Sequence, residues 1–114
     1  MTRHTEGTLT VLIGNVRRGD TGVYIGRKVA GREGSPLGNP FRLTGTESVG
    51  DTLERYRTWL RAEYAKHAEA YTELHRLRDV LLEEGVVTLT CWCSPKPCHG
   101  DILAECLLKL AAAV

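Results

Sequence analysis

Three cysteines and a histidine fall within nine residues, in the stretch Cys91-Trp-Cys-Ser-Pro-Lys-Pro-Cys-His-Gly-Asp101. Three kinds of chemistry suit those types. Cys91, Cys93, Cys98 and His99 are four ligands of the kind that hold structural zinc, although their spacing is not a paired C-x-x-C. Cys98 with His99 or Asp101 has the groups for nucleophilic or acid/base catalysis, and because neighbouring side chains at a helix start diverge, a second segment would complete such a site. The third reading is structural, with small buried thiols beside a His-Gly-Asp helix cap. Pro97 fixes φ ahead of a helix and Asp101 suits its first turn, so the amides of Cys98, His99 and Gly100 would point outward as an anion site. A thiol there has its thiolate stabilised, and Lys96 and His99 would add to this, which makes Cys98 the candidate reactive or anion-contacting cysteine. Trp92 alternates with Cys91 and Cys93, so its ring belongs on the opposite strand face from theirs.

A second stretch, Gly34-Ser-Pro-Leu-Gly-Asn-Pro-Phe41, reads as a loop that presents a ligand-recognition surface. Two prolines stiffen it, Gly38 permits close approach, and Ser35 and Asn39 bring polar side chains beside backbone donors. It lacks the Gly-Lys-Thr ending of a Walker loop and the strand–turn–helix setting of a dinucleotide fingerprint. Phe41 could stack on a base or anchor the core. Asn15, Arg17, Tyr24 and Arg27 sit at the ends of two early strands and could converge on the same crevice.

Those groups need a scaffold, and the periodicities supply one. Residues 8–16 place Leu9, Val11 and Ile13 on one strand face, and residues 23–26 make a second short strand, joined to the first through a hairpin or a longer excursion. Residues 31–42, with three glycines and two prolines, form a shaped loop. From Asp51 the spacing turns helical, with Ser48 or Asp51 as cap; the pattern runs to Gly85 and reads as two helices breaking near His67. Residues 86–92 are β-branched and apolar on both faces, which predicts a central strand covered twice. A last helix carries Ile102, Leu103, Cys106, Leu107 and Leu110, with Cys106 in the core. Strands mixed with covering helices predict an α/β fold, a small single-domain sandwich whose central sheet is covered by helices, spanning residues 1–114 with 1–7 flexible.

The chain has 114 residues, 42% apolar and 25% charged, a composition of globular rather than disordered sequences. No stretch approaches the ~20 apolar residues that span a bilayer, and residues 1–7 have no secretory apolar run, so a cytoplasmic protein without membrane contact is expected. Net charge is +1, which excludes a broad basic coat for tight, nonspecific duplex binding. Within residues 14–42, however, Arg17, Arg18, Arg27, Lys28, Arg32 and Arg42 face only Asp20 and Glu33. Arginine with glycine is the pairing that meets an anion through guanidinium and backbone together.

The motifs Val23-Tyr-Ile-Gly-Arg27, Gly34 to Phe41 and Cys91 to Asp101, in that order, resemble domain of unknown function 4326, a family of bacteria and phages. The resemblance runs from about Val11 to Leu107. The last motif is also similar to that of domain of unknown function 488, in which Cys-His-Arg opens a helix; Gly100 stands here in place of that Arg. The phage and defence-island settings of such families imply nucleotide or nucleic-acid metabolism. The expected function is therefore binding of a phosphorylated nucleotide, free or within short nucleic acid, between the 34–42 loop and the 93–101 turn. Arg17, Arg27, Lys96 and the helix start would hold the anion, and Asn15, Tyr24, Ser35, Gly38 and Asn39 would shape and read the ligand. Cys98, His99 and Asp101 would be the reactive groups for transfer or hydrolysis at a glycosidic or phosphate centre, with no cofactor. The alternative from another class is a non-catalytic interaction domain held by zinc on Cys91, Cys93, Cys98 and His99.

Overall fold

The computed structural model describes residues 1–41, 48–94 and 96–114, so Arg42, at the end of the expected loop, and Pro95, in the cysteine motif, lie outside the described residues. Strand β1 is Thr2–Glu6, where residues 1–7 were expected to be flexible. Its sequence lacks an apolar face because it is an edge strand, with only Thr2 and His4 half-buried. Gly7, at φ +60°, makes the tight turn into β2, Leu9–Asn15, which pairs antiparallel with β1.

From β2 the chain passes through a short 3-10 turn, Val16–Arg18, into β3, Val23–Tyr24. The two strands do not form a hairpin. Both pair in parallel with β4, Val86–Cys91, which lies between them in the order β1-β2-β4-β3. Residues 16–22 therefore cross β4 without the usual helix, a connection far shorter than the dozen or more residues such crossings take. Two glycines permit it. A Cβ on Gly14 would stand 2.7 Å from the Asp20 Cβ, and one on Gly22 would stand 2.6 Å from the Thr88 carbonyl oxygen.

The apolar alternation of β2 and β4 puts Val11, Ile13, Val87, Leu89 and Cys91 on one buried face. Helices α2 (Glu69–Glu84) and α3 (His99–Ala112) pack on it, and α1 (Val49–Ala65) packs on those two helices. The second covering of β4 comes from the crossing segment, with Gly22 against Thr88, while Thr90 is buried and Val86 and Trp92 stay 40% and 38% exposed at the strand's ends. The strand is central in the sheet all the same, as its composition predicts.

Helix boundaries follow local chemistry. Ser48 and Asp51 form a reciprocal capping box at the start of α1, His67 at φ +55° separates α1 from α2, and Gly85 at φ +79° closes α2. Along α1, Tyr56 is fully buried and donates its hydroxyl to the Leu37 carbonyl at 2.6 Å, fastening the 34–41 loop to the helix. Among the described residues no helix is long and apolar enough to cross a membrane.

Candidate functional site

Where β2 and β4 end, the chain makes two turns that are tied to each other. Asn15 accepts the Arg17 amide on Oδ1 at 2.8 Å, and its Nδ2 donates to the carbonyls of Trp92 and Ser94 at 3.2 and 2.8 Å. Ser94, only 2% exposed, donates to the Ile13 carbonyl at 2.9 Å and meets the Thr2 hydroxyl. These bonds fix the 15–18 and 92–94 segments as two walls of one cavity. Gly26 and Arg27, the 39–41 loop, the first turns of α1, through Val49, Thr52 and Leu53, and residues 96–99 complete it. The cavity has a volume of about 810 Å³, near the top of the usual range for small-molecule sites.

Of the residues that the sequence singles out, Asn15, Arg17, Arg27, Asn39, Phe41, Lys96, Cys98 and His99 line this cavity, together with Cys91 and Cys93. Asn15 lines it with all its amide groups engaged, so it is a bracket between the two walls. Asn39 accepts the Phe41 amide at 2.9 Å on Oδ1, and no described residue takes its Nδ2. Tyr24, Ser35, Gly38 and Asp101 are not among the lining residues. Ser35 accepts the Leu37 amide within the loop, and a Cβ on Gly38 would lie 3.0 Å from the Gly26 carbonyl oxygen, the close approach that its type implies. Tyr24 donates to the Arg27 carbonyl at 2.7 Å and accepts from Trp92 Nε1 at 2.9 Å, behind the cavity wall. The Trp92 ring does lie on that reverse face, yet the residue also borders the same cavity as the thiols, because the strand ends at Cys91 and the chain turns there.

Among the described Lys, Arg, Asp and Glu residues, only cations line the cavity. They are Arg17, Arg18, Arg27 and Lys96. Arg18 was legible only as part of a charge cluster, and Val49, Thr52 and Leu53 carried no signal, since it is helix packing that brings them to the site.

The start of α3 differs from the expected anion site. Asp101 Oδ2 accepts the Cys98 amide at 3.0 Å in a capping box, and Oδ1 accepts from His4 Nε2 at 2.8 Å. The Cys98 amide is therefore engaged and a carboxylate sits at the helix end, so anion binding falls to the side-chain cations. Asp101 caps the helix and ties down β1.

The thiols also depart from expectation. Cys91 and Cys98 are buried with their sulfurs 3.5 Å apart, while Cys93 is exposed. Hydrogen bonding from the Cys93 and Cys98 thiols holds the Cys91 pKa well below the usual thiol range, and donating to Cys91 pushes those of Cys93 and Cys98 up. Either sulfur of the Cys91–Cys98 pair can be the donor, so a thiolate there is shared by the pair. His99 is 8% exposed; its Nε2 donates to the Ile25 carbonyl at 2.7 Å and its ring meets Tyr56 edge-on at 5.2 Å. Burial lowers its pKa below 6.5, so it is a neutral imidazole at pH 7 whose unprotonated nitrogen is Nδ1. The bond to Ile25 leaves Nδ1 as the open nitrogen of His99, and among the described residues no group of three or more His, Cys, Asp or Glu is arranged to hold a metal ion.

One family model, described as Domain of unknown function (DUF4326), matches residues 14–109. No curated protein and no solved structure matches the chain.

Proposed function

The chain belongs to the family of domain of unknown function 4326, and as that membership specifies no reaction, we propose from the cavity itself that the protein binds a phosphorylated nucleotide there. The observation that carries this reading is the set of cations Arg17, Arg18, Arg27 and Lys96 on the lining, with no carboxylate among the described lining residues. None of the four has an ion-pair partner among the described residues. Uncompensated cations repel one another, and a polyanionic ligand relieves that repulsion while accepting charge-assisted hydrogen bonds of about 1.5–3 kcal/mol each.

The remainder of the lining suits a nucleoside. Phe41, Leu53 and Trp92 offer apolar surface and Asn39 Nδ2 offers a donor to a base or sugar edge. The groups beside the anion, the neutral imidazole of His99 and the Cys91–Cys98 thiol pair, fit transfer or hydrolysis at a glycosidic or phosphate centre, which is the turnover to assay in the same cavity.

Thermal unfolding across a panel of nucleosides, nucleotides and inorganic phosphate tests the proposal. A ligand at 100 times its Kd stabilises by about 2.7 kcal/mol, and at ~4 °C per kcal/mol for a domain of this size the midpoint should rise by roughly 10 °C. A rise with a nucleotide that is absent with its nucleoside supports the reading. No rise with any phosphorylated compound contradicts it.

A further inference from the structure

Trp92 is exposed and yet held in place. Its Nε1 donates to the Tyr24 hydroxyl at 2.9 Å, the two rings meet edge to face at 6.5 Å, and 38% of the residue remains open to solvent. A tryptophan that serves the core buries its ring; one that is pinned by a hydrogen bond and left exposed offers a flat surface that is already ordered. Two guanidinium groups flank it, those of Arg17 and Arg32, each 6.0 Å from the indole centroid, and Arg32 also lies 5.2 Å from the centre of Tyr24. An exposed aromatic ring beside arginines is the arrangement on which a base stacks while the backbone is neutralised.

Arg17 belongs to both places, since it lines the cavity and lies over Trp92. A strand with one nucleotide in the cavity would carry its next phosphate past Arg17 and its next base to Trp92. A free nucleotide filling the cavity would have no use for the second surface. We propose that the physiological ligand is single-stranded nucleic acid, one nucleotide occupying the cavity and the adjoining base stacking on Trp92. The proposal rests on the cavity reading above and extends it to a polymer.

The experiment measures binding of the deoxynucleoside and ribonucleoside 5′-monophosphates, and of mixed-sequence single-stranded DNA and RNA pools of about ten nucleotides, to the wild type, Trp92→Ala and Trp92→Phe. Melting curves of the variants verify folding, and the phenylalanine variant keeps a ring should alanine disturb the turn. Expected is tighter binding of at least one pool than of any monophosphate, with Trp92→Ala weakening the pool by roughly tenfold or more beyond any loss it causes for the monophosphates, and Trp92→Phe weakening the pool less. Monophosphates and pools binding equally, with no dependence on Trp92, would overturn the polymer proposal and leave the cavity reading intact. Absence of binding by every probe would overturn both.

Discussion

Removing one oxygen atom, in Tyr56→Phe, tests how the fold holds its site. The Tyr56 hydroxyl is the donor to the Leu37 carbonyl at 2.6 Å, and both residues are fully buried. Burial, first, and then the nearby Cys106 and Cys98 raise the phenol's pKa well above 10, so it remains a donor across the working pH range. Phenylalanine keeps the ring contacts with Trp59 and His99, at 5.5 and 5.2 Å. What changes is a buried carbonyl left without that donor, which costs about 1–3 kcal/mol. At ~4 °C per kcal/mol the midpoint should fall by roughly 4–12 °C, and urea unfolding should show a lower midpoint with an unchanged slope. Because Asn39 and Phe41 follow Leu37 on the same loop, nucleotide affinity should fall as well. A stability loss below about 0.5 kcal/mol would refute the claim that this bond fastens the loop, since a buried acceptor cannot lose its donor so cheaply.

Three further outcomes follow from the same geometry. Gly22→Ala places a Cβ 2.6 Å from the Thr88 carbonyl oxygen and should destabilise by about 1–3 kcal/mol in urea titrations, whereas a neutral effect would mean that the crossing segment is not packed on β4. Burial lowers the His99 pKa from 6.5, so below pH ~6.5 the unfolded chain takes up a proton that the folded one refuses; stability should fall with acidification by up to about 1.4 kcal/mol per pH unit from this residue, and His99→Gln should flatten that dependence in unfolding measured from pH ~7 to ~5. Asp101→Ala removes the partner of both the Cys98 amide and His4 and should cost about 0.5–2 kcal/mol while sparing nucleotide affinity; unchanged stability with lost turnover would instead assign Asp101 a chemical role.

Much of the scaffold was legible because its signals are local. The α/β class, the Ser48–Asp51 cap, the break at His67, the stop at Gly85 and the central position of β4 all follow from periodicity and capping chemistry. Strand β1 was not legible, because an edge strand needs no apolar alternation and Thr2–Glu6 has none. The crossing between β2 and β3 was hidden too: residues 16–22 read equally well as a hairpin turn, and only the pairing of both strands with β4 decides between the two.

The site divides along the same line. Residue types marked Arg17, Arg27, Asn39, Lys96, Cys98 and His99, and they do share one cavity. Type alone could not show which polar groups are already engaged. Asn15 is consumed in bracketing two turns, Asp101 closes the helix end it was expected to leave open, and the Cys98 thiol is tied to the Cys91 thiol. Partner choice depends on tertiary distances, which spacing along one chain does not contain.

The central claim is that the cations lining the cavity hold a phosphorylated nucleotide, and titration calorimetry on the wild type and Arg27→Glu tests it most directly. Arg27 is exposed on the cavity lining and has no ion-pair partner among the described residues, so its reversal should leave the melting temperature within about 2 °C, as for surface substitutions generally. The account predicts saturable nucleotide binding to the wild type and a loss of affinity of at least roughly tenfold in Arg27→Glu. Equal affinity in the two proteins, or binding that ignores the phosphate altogether, would contradict it.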